Sequence, residues 1–152
     1  MFDGTLRENL AFDEAIDDAT LINAISSAGL EGLLAKLDQG LDTPLGERGV
    51  TLSGGERQQL ALARLWFSNA QIIILDEATS AIDNLTEASV MRNVMALLKV
   101  KTVIAVAHRL DSIKDFDHIV LFQDGRIAEQ GQFEELIRKR QLFYELYNRL
   151  QQ

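Results

Sequence analysis

Cysteine is absent from the 152 residues, proline occurs once, and no glycine is followed by lysine. Without cysteine no disulfide and no thiolate metal site can form, which suits a reducing compartment without requiring one. The lone proline, Pro44, falls in residues 40–49, which also hold three of the ten glycines and are therefore expected to be loop. No apolar run approaches the roughly 20 residues that cross a bilayer, and the first residues lack the basic and apolar regions of a signal peptide. Any attachment to a membrane is expected to come through a partner or a further segment. Positive charge is scarce: 15 Lys and Arg against 23 Asp and Glu give a formal charge of −8. With no basic cluster, a nucleic-acid surface is disfavoured, because neutralising phosphates needs grouped Lys and Arg. The absent Gly-Lys step removes Gly-x-x-x-x-Gly-Lys-Ser/Thr, the loop whose backbone amides and lysine hold the β- and γ-phosphates of a nucleotide. Neither an internal repeat nor a low-complexity tract interrupts the chain.

What is present is an ordinary globular composition, 47% hydrophobic and 25% charged. A complete domain of this length buries about 70% of its unfolded surface. The pattern centres on residues 51–83, TLSGGERQQLALARLWFSNAQIIILDEATSAID. Ser53 with Glu56 three residues on fits a capping box, so a helix starts there. Its free N–H groups and positive dipole end favour an anion, and Gly54 and Gly55 carry no Cβ to hold a phosphate away. Leu60, Ala63, Leu65 and Phe67 follow the 3.6-residue period of a half-buried helix, with Arg57, Gln58, Gln59 and Arg64 between them. Asn69 and Ala70 break it. Residues 72–75, Ile-Ile-Ile-Leu, lack alternation and read as a parallel strand buried on both faces. Asp76 and Glu77 end that strand, where open α/β sheets bind their ligands. One carboxylate suits magnesium, and its neighbour suits orienting and deprotonating a water.

Around this centre, Thr5 and Glu8 form a second capping box, and residues 17–28 and 30–37 read as two helices parted at Gly29. Residues 86–98 read as a helix, and residues 102–107, TVIAVA, as a second buried strand ending at His108. That histidine is either a packing or capping residue or, from its place at the strand end, a group within reach of a γ-phosphate or an attacking water. Asp124-Gly125 marks a hairpin between residues 118–122 and 126–129, and residues 133–137 and 142–150 read as amphipathic helices. The face of Tyr144 and Tyr147 is either covering structure or a place for a partner.

The phrases LSGGE at residues 52–56, IIILDE at 72–77 and SAID at 80–83, followed by the isolated His108, resemble the ATP-binding-cassette ATPases. These are that family's signature, Walker B motif, D-loop and switch histidine, in the family's order. Residues 43–49, TPLGERG, resemble its X-loop, with Glu47 either the acidic contact to a membrane domain or a solvated loop charge. Departures are Glu56 where glutamine is frequent, Ile82 in place of the D-loop leucine, and no proline before the strand.

The resemblance implies an α/β, P-loop NTPase-like parallel sheet with a helical subdomain. About residues 1–70 would hold the helical subdomain and signature, and about residues 71–152 the C-terminal part of the catalytic core. Because Walker A and the Q-loop precede the signature in the family, the chain is expected to be the C-terminal portion of one incomplete nucleotide-binding domain. The resemblance further implies ATP and Mg2+ as cofactors, Asp76 as the metal ligand, and Glu77 and His108 as catalytic groups. Ser53, Gly54, Gly55, Glu56 and Asp83 would meet nucleotide. Partners would be a second nucleotide-binding domain in a head-to-tail dimer and, through the Glu47 region, the transmembrane domain of an exporter, with no nucleic acid. That places the segment at the cytoplasmic face of a membrane. Two alternatives are a soluble DNA-maintenance ATPase of the same family, disfavoured by the acidic balance and the lack of coiled-coil heptads, and a non-catalytic module that lends its signature to another ATPase.

Overall fold

The computed structural model describes residues 2–12, 15–46, 49–107 and 109–150. Its chain contacts divide it into two compact units, Met1–Val106 and Ala107–Gln152.

In the first unit, β1 (Gly4–Thr5) leads into α1 (Leu6–Ala11), and Thr5 and Glu8 make the expected reciprocal cap. Asp17 caps α2 (Asp18–Ser27) through the N–H of Thr20. Gly29, at φ 75°, turns the chain into α3 (Glu31–Leu34). That helix is shorter than the pattern over 30–37 suggests. Gly32 lies within it, and so short a segment closes too few hydrogen bonds to offset nucleation, so the chain continues in three-residue turns from Lys36 to Leu33 and from Leu37 to Leu34. Residues 40–49 are not all loop either. Gly40–Asp42 forms a tight helical turn, and β2 (Pro44–Leu45) pairs antiparallel with β1. Proline is tolerated there because the pairing is only two residues long and Pro44 is the first residue of its strand.

Leu6, Leu10, Leu21, Ile25, Leu30, Leu52 and Leu60 form the core under these helices. Fully buried Asn9 ties its top together. Its Oδ1 accepts from the N–H of Phe2 and from Arg64 Nη2, both at 3.2 Å, and its Nδ2 donates to the carbonyls of Phe2 and Thr5. Arg64 Nε donates to the Asn9 carbonyl at 2.6 Å, and its guanidinium lies 5.3 Å from the centre of the Phe12 ring.

The helix opened by Ser53 is α4 (Gly54–Ala63), tightened at its end into the turn Arg64–Phe67. Leu60 and Ala63 pack in the helical core, while Leu62 packs with Ile73, Leu75, Ile82, Val90, Val94 and Leu98 in a second one. Both cores fall within the first compact unit, which runs to Val106. They are joined by α4, which contributes side chains to both.

β3 (Ile72–Asp76) and β4 (Thr102–Val106) are parallel and in register from Ile72 opposite Thr102 to Asp76 opposite Val106. They are joined through α5 (Asn84–Leu97), whose Val90 and Val94 cover one face. The expectation that both strands are buried on both faces fails. Ile73 and Leu75 are each 6% exposed, but Ile72 and Ile74 are 61% and 70% exposed, and Ile104 and Val106 on β4 are exposed beside them. Among the described residues no layer covers that side, so a run that is apolar throughout alternates in burial.

In the second unit, β5 (Ile119–Gln123) and β6 (Arg126–Gly131) form the expected hairpin. Asp124 and Gly125 both take positive φ, 52° and 74°, as a tight turn matched to strand twist requires. Phe133 of α6 (Phe133–Lys139) packs edge-on against Phe143 and Tyr147 of α7 (Leu142–Leu150). Tyr147 is thus part of this unit's packing. Buried Glu129 accepts the N–H of Phe143 at the start of α7.

Candidate functional site

The start of α4 is built as the sequence pattern implies. Ser53 is extended, its Oγ accepts the N–H of Glu56 at 3.2 Å, and Glu56 Oε2 accepts the N–H of Ser53 at 2.7 Å. The N–H groups of Gly54 and Gly55 lie outside this box and are the helix donors left for an anion. Hydrogen bonds from Ser53, the backbone one foremost, hold the Glu56 carboxyl below the usual carboxylate range. Glu56 is therefore occupied as a cap.

Asp83 is the second cap of the site. Its Oδ1 accepts from the N–H of Leu85 at 3.2 Å and of Thr86 at 3.0 Å, which starts α5. These bonds, that of Thr86 first, lower its carboxyl from the ordinary value. The two helix starts converge on one open cavity of about 540 Å³, lined by Ser53, Gly54, Gly55, Glu56 and Asp83 with Gln59 and Thr86. Five residues singled out in the sequence as nucleotide contacts thus share one wall system.

Gly55 carries a constraint that the sequence does not display. A Cβ there would lie 2.8 Å from the carbonyl oxygen of Ala81, whereas one on Gly54 would make ordinary contacts with the Ala81 methyl at 3.5 Å and Arg57 Nη2 at 3.9 Å. The absence of a side chain at Gly55 is required by the chain's own turn before any ligand is considered.

Asp76 and Glu77 stand exposed at the carboxyl end of β3. Glu77 has left-handed backbone, φ 47°, a conformation that costs a non-glycine residue on the order of 1–3 kcal/mol and persists where neighbours over-determine it. Here they do. Its N–H donates to the Val106 carbonyl at 3.3 Å, and its carbonyl accepts from Ser80 N at 3.1 Å and from Gln58 Nε2 at 3.2 Å. The turn then reaches Ile82, buried at 4%, and Thr79, whose hydroxyl lies 2.7 Å from buried Glu87.

No group of three or more His, Cys, Asp or Glu placed to hold a metal occurs among the described residues. Adjacent Asp76 and Glu77 offer a donor set of the kind that suits magnesium arriving with nucleotide phosphates, since that ion commonly takes one or two carboxylates and completes its shell from phosphate and water. His108 and Glu47 lie outside the described residues. In the sequence Gln58 and Gln59 stand only as polar residues between apolar positions. Yet Gln59 is 7% exposed and donates to the Gly29 carbonyl at 3.0 Å, tying α4 to the turn after α2. A buried amide inside an apolar period was the only available signal.

A family model described as ABC transporter matches residues 2–80, half of the chain. The chain belongs to the ABC transporter family. Over 148 residues it is 43% identical to an uncharacterized ABC transporter ATP-binding protein, YwjA, of Bacillus subtilis, covering 97% of this chain and 26% of that protein. It is 41% identical over 150 residues to an ATP-dependent lipid A-core flippase of Haemophilus ducreyi, with 97% and 26% covered. An ATM1-type heavy metal exporter of Novosphingobium aromaticivorans is 39% identical over 150 residues, with 98% and 25% covered. A solved bacterial Atm1-family ABC exporter with ATP bound superposes with a TM-score of 0.84 at 38% identity, covering 99% of this chain and 26% of that one. The chain thus has the fold of an exporter-type ABC ATPase segment and spans about a quarter of the length of the relatives it matches.

Proposed function

We propose that this chain is the C-terminal portion of a single nucleotide-binding domain that binds and hydrolyses ATP for an ABC exporter, coupling ATP-driven dimerisation to transport. The observation that carries this reading is the pair Asp76 and Glu77 at the end of a parallel strand, joined by hydrogen bonds to a helix whose start is open to an anion. Asp76 would hold the magnesium ion, which when bound neutralises charge building between the β- and γ-phosphates. Glu77 orients the attacking water and takes its proton, and His108 steadies the γ-phosphate side of that water.

Ser53, Gly54 and Gly55 present a hydroxyl, two amides and a helix dipole to the nucleotide of a second, head-to-tail domain, with Glu56 and Asp83 keeping both helix starts in place. The Glu47 region would contact the transmembrane domain, setting this segment on the cytoplasmic face of the membrane. The four exposed apolar residues on one face of β3 and β4 favour a further layer from the same polypeptide over an isolated signature module. The formal charge of −8 disfavours a DNA-bound ATPase.

In the full-length polypeptide, Glu77→Gln should lower steady-state ATP turnover by roughly 10²–10⁴ while nucleotide binding persists. Turnover within a few-fold of the parent would remove Glu77 from the reaction. Asp76→Asn should instead shift the magnesium dependence of nucleotide binding to higher concentration.

A further inference from the structure

Gln58, half-buried on α4, directs three hydrogen bonds at one turn. Its Nε2 donates to the Glu77 carbonyl at 3.2 Å and to Ser80 Oγ at 2.9 Å, and its Oε1 accepts the N–H of Ala81 at 2.8 Å. Both amide protons meet acceptors and the amide oxygen meets a donor, so neither a carboxylate nor an apolar side chain reproduces the set. One turn earlier on the same helix, Gly55 lies so close to the Ala81 carbonyl that no Cβ fits between them. Residues 77–81 are therefore gripped from α4 at two points, and the residue at the start of the gripped segment is the one in left-handed conformation.

We infer that Gln58 is a positioning residue. It fixes the Glu77 backbone in its left-handed state and makes the start of α4 and the turn 77–82 one mechanical unit. A ligand that orders the Ser53–Gly55 end of α4 then also sets the direction of the Glu77 carboxylate. In a head-to-tail dimer the nucleotide at one site would thereby report on the water-orienting group of the other. The kinetic part of this inference rests on the ATPase reading given above, whereas its structural part rests on the hydrogen bonds alone.

Gln58→Met keeps the length of the side chain and removes every hydrogen bond, and Gln58→Glu keeps an acceptor for Ala81 while losing the donors to Glu77 and Ser80. In the full-length polypeptide, amide exchange followed by mass spectrometry should show residues 80–82 exchanging about tenfold faster in Gln58→Met, with the α4 amides unchanged. In Gln58→Glu the Ala81 amide should stay protected. Both variants should lose about tenfold in kcat with the nucleotide KM within twofold of the parent. Unchanged exchange at 80–82 in Gln58→Met would overturn the clamp, and faster exchange with unchanged kcat would overturn its catalytic consequence. If the parent polypeptide hydrolyses no ATP, the ATPase reading fails, and the exchange measurement alone then decides the clamp.

Discussion

At the scale of single residues, the two glycines of the signature-like segment are not equivalent. A Cβ at Gly54 makes an ordinary contact, while at Gly55 it strikes backbone that cannot rotate away. Gly55→Ala should therefore destabilise the fold by about 1–3 kcal/mol, the usual cost of overpacking, and Gly54→Ala by much less. Urea unfolding of the two variants side by side checks this, and equal midpoints would contradict it. The contrast also selects the cleaner probe of ligand binding. Gly54→Asp sets a carboxylate at the cavity without disturbing the turn, so a loss of nucleotide-driven association there reports on the anion site and not on folding. Asn9 behaves differently. It is fully buried, and Asn9→Leu would remove the side-chain partner of the Phe2 N–H and carbonyl and one acceptor from Arg64, whose pKa burial already lowers. A loss of about 2–4 kcal/mol in denaturant unfolding is expected, because buried polar groups without partners retain their desolvation cost. A loss below about 1 kcal/mol would show that water replaces the amide.

At the scale of elements, α4 depends on a carboxylate. Because its hydrogen bonds depress the folded-state pKa of Glu56 below the unfolded value, the cap's contribution is complete above the unfolded pKa and is lost as pH falls through the lower, folded one. Glu56→Gln can still accept the Ser53 N–H but does not titrate. Its denaturation midpoint should therefore fall less than the parent's between about pH 6 and pH 3. Parallel pH profiles would place the acid sensitivity elsewhere, in the similarly lowered Asp17 and Asp83 caps. The Ser53–Glu56 and Thr5–Glu8 boxes were legible in the sequence because both partners of each lie within three residues, whereas Asp17 and Asp83 emerge as caps only in the structure. The turn at Asp124-Gly125 was legible for the same local reason. The faces of β3 were not, since an unbroken Ile-Ile-Ile-Leu run records what each residue prefers and not whether a second layer is there. Gln58 was illegible because its partners lie 19 to 23 residues away and two of them are backbone. The start of α4 and the two carboxylates at the end of β3 could thus be placed from the sequence, while the amide that ties that helix to the turn after β3 could not.

At the scale of the whole molecule, the missing phosphate cradle and the uncovered sheet face lead to one expectation. ATP's triphosphate carries several negative charges, and the groups at the end of β3 are carboxylates, Asp76 and Glu77. The two helix starts that favour anions are already partly answered by the carboxylates of Glu56 and Asp83. No glycine-lysine loop supplies the amides and the fixed positive charge that a tight site for the β- and γ-phosphates requires. Nor do the apolar positions Ile72, Ile74, Ile104 and Val106 provide a formed pocket for a base; among the described residues they are a bare face with an open strand edge, which favours self-association in water. These 152 residues on their own should therefore show no specific ATPase activity and bind Mg-ATP no better than millimolar, on the ~−4 kcal/mol scale of weak association. Adding the segment that carries the phosphate loop, fused or as a complementing fragment, should restore both and reduce the exposure of Ile74 to solvent. Calorimetry with Mg-ATP on the purified, monodisperse chain decides the matter: a stoichiometric micromolar site that Asp76→Asn abolishes would show that these residues hold nucleotide without that loop.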